Sequence, residues 1–401
     1  MNKRYHVVIV GAGVAGLAVA ALLAQCKQRE QLKLTVIDAD ARVVRRASDD
    51  VALRVSAIAT GSAELLQDIG AWLAVIATRA CAYDSMRVWD ESSTDDSGDA
   101  LRFDAADFAV SQLGFIVEND LLVDAILGVV ERQDVDLLFS APIVSLETAR
   151  NTHQVVLQDG RKIEADLIIG ADGAHSLVRE CAGIESREWE YEQVAFVSHL
   201  RPEKSHANIA RQRFLATGPL GMLPLVDGRI SVVWSTTAEQ AQWAMSATDE
   251  ELGSALGNAS DHVLGRLSAA GPRGAFPLRS RHVKDYVKAG IALVGDAAHA
   301  VHPLAGQGAN LGLQDAVSLA DVINTALQHG EYPGDRPVLR RYERARKGAN
   351  ATMLHFMTGL NRLFATDSAL LKELRTTGMW LFNHSGPIRE HVVKVALGTR
   401  R

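Results

Sequence analysis

Three short stretches of this sequence gather the residues whose types and spacing bear on chemistry. In VGAGVAG, Gly11, Gly13 and Gly16 form a GxGxxG pattern, and Asp38 follows at roughly the ~20-residue offset expected of a ribose-binding carboxylate. The first glycine permits a tight turn, the second lets backbone approach a pyrophosphate, and the third allows close helix–strand packing. In GADGAHSLVR, Asp172 and Gly173 follow an apolar run, with Arg179 shortly beyond. The third stretch, IALVGDAAHAVHPLAGQGANLGLQDA, contains Gly295, Asp296, His299, His302, Pro303, Gly306, Gln307, Gly308 and Asn310. It holds almost nothing that could react. Small residues at this density leave room for a bound group, and the chemistry then belongs to that group.

The elements that must position these residues are legible in the apolar pattern. YHVVIVGAGVAGLAVAALLAQ reads as a buried strand, a glycine turn and a helix, and LKLTVIDAD as a second strand, which makes a βαβ unit with a parallel sheet. The helix N-terminus would then face the negative charge of a pyrophosphate. SSTDDSGD, Ser92 to Asp99, reads as a hairpin tip, and HQVVLQDGRKIEADLIIGADG as a hairpin with a DG turn that leads into a buried strand. From Glu188 to Leu278 the pattern becomes short strand-like runs, VAFVSHL, ARQRFLA, MLPLV and ISVVWS, followed by helical material. After Asp315 the chain is largely helical.

The totals exclude some classes. At 401 residues the chain is long for one core, so two domains or one domain with an inserted layer are expected. A net charge of -6 argues against nucleic acid as a partner. Cys26, Cys81 and Cys181 are odd in number and never in a CxxC pair, which fits a reducing compartment and no thiolate metal site. No HxxxH spacing supports a metal either, and none is expected. MNKRYHVVIVGAG enters a strand directly, and no run of about 18 apolar residues occurs. A cytoplasmic protein is expected, with any membrane contact peripheral.

The order of GxGxxG, internal DG and late GD segments resembles the class A flavoprotein monooxygenases, which have the para-hydroxybenzoate hydroxylase-like fold. RVSAIATGSAELLQDIGAW, RACAYDSMRVWD, GFIVEND, VGDAAHAVHPLAGQGANLGLQD and RYERARK look like the ubiquinone-biosynthesis hydroxylases, from Val7 to about Lys347. RACAY…MRVWD most resembles the branch acting on ring carbon 5 of a polyprenylphenol. The resemblance implies an α/β fold: a GxGxxG-type FAD-binding Rossmann-like domain (1–187 and 279–345), an inserted sheet-based substrate domain (188–278, with 79–112 a candidate contributor) and C-terminal helices (346–401).

It also implies one noncovalent FAD, with Gly11, Gly13, Gly16, Asp38, Arg54, Asn119, Asp172, Gly295, Asp296, Gly306, Gln307, Gly308 and Asn310 as binding residues. Asp296 would meet the ribityl chain, the loop through Pro303 and Gly306 would pass the isoalloxazine ring, and the helix near Asn310 would direct its positive end at the flavin. Pro303, Gly306 and His302 are the candidate catalytic residues. The implied reaction inserts one atom of O2 into a polyprenylphenol ring through a flavin C4a-hydroperoxide, with NAD(P)H or another donor as transient reductant. Only one GxGxxG occurs, so no second Rossmann domain is expected. Implied partners are the lipid substrate, other ubiquinone-biosynthesis proteins or a lipid-binding accessory protein, and the inner face of the membrane; self-association stays open.

Several residues admit two readings. His299 and His302 are either bases or structural histidines. Arg211 and Arg213 either see the substrate or lie on a solvated sheet face. Tyr191 either relays a phenolic proton or is a buried, hydrogen-bonded tyrosine. The apolar runs VAFV, MLPLV and ISVVW either line a passage or pack as core, and RRYERARKG is either a solvated helix face or a contact for acidic lipid or a partner. Other functions on the same fold are hydroxylation of a small soluble aromatic acid, prenyl reduction without O2, and a non-catalytic flavin- or lipid-binding subunit. The WxWxIP signature of flavin halogenases is absent.

Overall fold

Six-residue apolar runs alternating with an Ala/Leu-rich helix produce a parallel sheet, because the helix returns the chain to the same edge and covers one face. Strand Tyr5–Val10 pairs in parallel with Leu32–Ile37 on one side and Leu167–Gly170 on the other, and helix Val14–Ala24 is the first crossover. Asp136–Leu138 extends the sheet beyond Leu32–Ile37. Ile291–Leu293 and the antiparallel edge strand Val287–Lys288 extend it beyond Leu167–Gly170. Val7, Val8 and Ile9 are fully buried at its centre. This computed structural model describes residues 4–42, 44, 50–98, 100–149, 152–300 and 308–365, with a few positions between 385 and 398.

A second, eight-stranded sheet runs His299–Ala300, Leu267–Val283, Ser186–Pro202, Ile230–Thr236, Gly218–Pro224, Ile209–Leu215, Ser85–Asp90, Leu101–Asp104. The last two strands form the hairpin whose tip contains Ser92, and Ser85–Asp90 joins Ile209–Leu215 in parallel. Two strands, Ser186–Pro202 and Leu267–Val283, reach 17 residues, far beyond the short runs expected. The second contains Pro272 and Pro277, which a regular ladder rejects; the pairing shifts register between Glu190 and Val194 and between Ser198 and Leu200, and such irregularities accommodate proline.

The faces of this sheet have different neighbours. Trp89, Phe196, Met222, Val232 and Trp234 pack under helices Ala238–Ser246 and Asp249–Ala259. On the opposite face, Leu223 and Leu225 meet Val51, Val55 and Ala57 of the first domain, while Val88 and Phe214 meet Met353 of helix Arg336–Ala365. Among the described residues no helix is long and apolar enough to cross a membrane.

Candidate active site

The three glycines of the first motif serve three separate needs. Gly11 has φ +108°, and a Cβ there would lie 2.3 Å from the Ala171 carbonyl oxygen. At Gly16 a Cβ would lie 2.0 Å from the Gly11 carbonyl oxygen, so only hydrogen fits between helix and turn. At Gly13 a Cβ would meet nothing within 4 Å. Gly13 is also the N-cap of helix Val14–Ala24, and no side chain caps that end. The helix therefore presents unsatisfied N–H groups and the positive end of its dipole toward open space, which is what a pyrophosphate requires. Asp38, just past the neighbouring strand, accepts hydrogen bonds from the backbone N–H of Ala12 and, at 2.8 Å, of Asp40. The FAD diphosphate and ribose fit this cradle.

Two further elements converge on it. The turn Gly295–Ala297 and the start of helix Gly308–Gln328 come together at Gly295 and Gly312, where a Cβ on either would lie 3.2 Å from Ala15 Cβ. Part of the glycine and alanine density thus serves the approach of three backbones. Asp296 is exposed to solvent yet closely surrounded by protein, as expected on the floor of a cleft. Burial pushes its carboxyl pKa up, against the pull of His299, Arg54 and Arg281. Asn119 helps to place Arg54: its N–H donates to the Arg54 carbonyl at 3.0 Å, and its Oδ1 accepts from Ser56 Oγ at 2.7 Å.

Behind the Gly295 turn lies a buried polar network. Asp315, fully buried, accepts at Oδ2 from His299 Nε2 (2.5 Å) and the Gly295 N–H (3.2 Å), and at Oδ1 from Arg346 Nε (2.8 Å) and Asn350 Nδ2 (3.0 Å). Burial would raise the Asp315 pKa; His299 and Arg346 outweigh it and hold the carboxyl below its ordinary range. Asn350 Nδ2 also reaches the Tyr286 hydroxyl (3.2 Å), which lies 3.1 Å from His282 Nε2. Desolvation lowers the His282 pKa to about 4, with His299, Lys347 and His355 adding to the shift. His299 is 2% exposed and committed to Asp315, so it holds the turn and does not face the cleft as a base.

Comparison with known proteins decides the family. The FAD binding domain family matches residues 4–357. The chain is 34% identical to 3-demethoxyubiquinol 3-hydroxylase of Escherichia coli (strain K12), covering 99% of each protein. It is 33% identical to the mitochondrial ubiquinone biosynthesis monooxygenase COQ6 of Homo sapiens, over 98% of this chain and 92% of that protein. The chain belongs to the FAD-dependent ubiquinone-biosynthesis hydroxylases. In fold, this hydroxylase superposes on p-nitrophenol 4-monooxygenase PnpA of Pseudomonas putida DLL-E4 with a TM-score of 0.77 at 16% identity, covering 100% of both chains. The family resemblance is thereby established. The Escherichia coli relative's name specifies carbon 3, so the comparison reaches the family and not the carbon-5 branch.

Residues assigned to this hydroxylase's site from sequence also make ties within the protein. Asp172 caps the turn that follows it, accepting from Ser176 Oγ (2.5 Å) and the Val178 N–H (3.1 Å); burial raises its pKa and these bonds lower it. Its neighbour Arg179 is buried and ties the segment to the late motif, donating to the carbonyls of Ala297 and Ala174 at 3.2 Å each. The Asn310 side chain clamps strand Val55–Ala59, accepting from the Ala59 N–H (3.0 Å) and donating to the Ala57 carbonyl (2.8 Å). Both side chains are thus engaged by partners within the protein, as polar groups enclosed by protein require.

Arg211 and Arg213 see neither substrate nor solvent. They are buried and donate to backbone carbonyls, Arg213 to Asn258 and Ala259 at a helix C-terminus and Arg211 to His206 and Ile209. His302, Pro303, Gly306 and Gln307 lie outside the described residues, as does the side chain of Tyr191. The sequence reading missed Asp315, Arg346 and Asn350, although the Arg346/Asn350 spacing of four places both on one helix face. RRYERARKG is accordingly divided between surroundings. Tyr342 and Glu343 are buried and Arg346 sits on Asp315, whereas Arg340 and Arg344 are exposed.

Proposed function

We propose that this chain inserts one atom of O2 into the ring of a phenol bearing an apolar tail, within ubiquinone biosynthesis. The observation that carries this reading is the meeting of the uncapped Gly13 helix, the Gly295–Asp296 turn and the Gly308 helix beside an apolar sheet face. Relatives named for demethoxyubiquinol and for ubiquinone biosynthesis give the substrate class, and no ring carbon is proposed.

Bound FAD supplies the redox chemistry, taking two electrons from a nicotinamide or other donor and passing them to O2. The chain's own residues bind and orient it. Gly13 and the first turn of Val14–Ala24 would hold the pyrophosphate, Asp38 the ribose and Asp296 the ribityl chain. Arg54, placed by Asn119, adds positive charge near Asp296. The Gly308–Gln328 helix would direct its positive end at the reacting portion of the flavin, where reduced, electron-rich flavin would gain most from it. The apolar face of the substrate sheet would close the opposite side and exclude water.

A tail of this kind partitions into lipid, so the substrate arrives from a membrane surface touched peripherally or from a lipid-binding partner. The deciding experiment supplies 18O2 to reduced holoenzyme with a short 2-prenylphenol. One 18O per hydroxylated product is expected. Prenyl reduction without O2 uptake, or H2O2 as sole oxygen product, would overturn the proposal.

A further inference from the structure

Strand Ile209–Leu215 alternates its side chains between two environments. Arg211 and Arg213 turn to the helix-covered face, where Arg213 binds the carbonyls of Asn258 and Ala259. Gln212 therefore turns to the face that meets the FAD domain, as does Phe214, which packs with Met353. Cross-strand pairing sets Gln212 in a row with Gly221, Val233, Val197 and Gly274 on one side and Val88 on the other. Gln212 is the lone polar side chain in that row, and none of the six residues is charged.

Two further observations mark a ligand site. Gln212 is only 7% exposed, yet its side-chain amide makes no hydrogen bond with any described residue. The little of Gln212 that is exposed includes its amide, which is therefore open to pair with a ligand or water. Next to it in the row, a Cβ on Gly221 would meet only the Val233 carbonyl oxygen, at 3.7 Å, so the row is open beside Gln212. The row lies beside the cofactor cleft. At its far end Leu53, adjacent to Arg54, sits against Gly274, with Cδ2 2.7 Å from where a Cβ would be.

We infer that Gln212 is a substrate-positioning residue whose amide hydrogen-bonds a neutral oxygen on the substrate ring, while Val197, Val233 and Gly221 receive its apolar part. An amide both donates and accepts, which suits a hydroxyl or ether oxygen. A carboxylate in this row would find no countercharge. The inference rests on the phenol reading above and specifies which group recognises the phenol.

The test compares dissociation constants of oxidised holoenzyme for 2-geranylphenol and geranylbenzene, ligands that differ by the ring oxygen alone. Wild type is expected to prefer the phenol by about tenfold, the effect of one hydrogen bond. Gln212→Leu should lose that preference, keep its affinity for geranylbenzene, and melt no lower than wild type because no hydrogen bond within the described protein is lost. Gln212→Met repeats the comparison should the leucine variant fail to fold. Retention of the preference in these variants would overturn the inference. So would equal weakening toward both ligands with a drop in melting temperature, since the amide would then be structural. Wild-type turnover of 2-geranylphenol separates the two claims: its absence strikes the phenol reading, whereas intact turnover without any oxygen-dependent preference strikes Gln212 alone.

Discussion

A side chain at Gly13 has open space around it, whereas one at Gly16 collides with the Gly11 carbonyl. The two glycines of one motif should therefore fail differently. Gly13→Leu is expected to fold with near-wild-type melting of the apoprotein but to weaken FAD binding on the order of 100-fold, the loss of two or three backbone hydrogen bonds to pyrophosphate. FAD titration checks this, and unchanged affinity would remove the nucleotide site from this turn. Gly16→Val should instead destabilise the apoprotein itself, by roughly 1–3 kcal/mol or more, as overpacking does. These roles were legible because a GxGxxG between strand and helix constrains backbone geometry. Asp172 and Asn310 were read as FAD-binding residues through the family resemblance; residue type and spacing alone do not show the partners within the protein that both also have.

His282 has a pH consequence. Its folded pKa of about 4 lies below the ordinary 6.5, so the folded state resists a proton that the unfolded chain accepts. Stability is fully present above pH 6.5 and falls as pH drops toward 4, by about 2 kcal/mol at pH 5 from this group. His6, His153, His199 and His206 are shifted in the same direction by burial and add to the trend. Urea unfolding at pH 7 and pH 5 should show a smaller drop for His282→Gln than for wild type. An identical drop would mean that His282 is not the group being desolvated.

At the scale of elements, helix Arg336–Ala365 is a structural support of the cofactor turn. Arg346 neutralises Asp315, which in turn holds His299 and the Gly295 N–H. Arg346→Ala leaves a fully buried carboxylate short of its cation and should cost ~3–5 kcal/mol in denaturant unfolding; Arg346→Lys should recover part of that. A change below about 1 kcal/mol would show that Asp315 is satisfied without the helix. This link was hidden in the sequence because the partners lie on different helices and RRYERARKG reads as a charged surface. Strand Leu267–Val283 was hidden for another reason. Its prolines and glycines erase the alternation on which strand recognition depends, and the ladder with Ser186–Pro202 overrides local preference.

At the scale of the molecule, the parallel FAD sheet and the inserted antiparallel-rich sheet were both legible from periodicity. Ser186–Pro202, Leu267–Val283 and Arg336–Ala365 each run continuously across one of the bounds read at 187/188, 278/279 and 345/346. A composition shift marks a change of surroundings, whereas a hydrogen-bonded element ends where its partner does. The contact between the domains has a functional reading, because an apolar sheet face opposite the cofactor cleft suits a substrate whose tail dominates its affinity. One five-carbon prenyl unit contributes ~3–4 kcal/mol when buried, at roughly 0.8 kcal/mol per CH2.

The most direct test is a single-turnover reoxidation of photoreduced holoenzyme by O2 with phenol, 2-prenylphenol, 2-geranylphenol and salicylate in turn. Hydroxylated product and H2O2 are counted per flavin, so the identity of the natural reductant does not enter. The predicted result is a product yield that rises with tail length as H2O2 falls, because a filled passage keeps water from the reacting flavin edge. Efficient hydroxylation of salicylate, with no gain from a prenyl tail on phenol, would contradict the account and assign the enzyme to soluble aromatic acids.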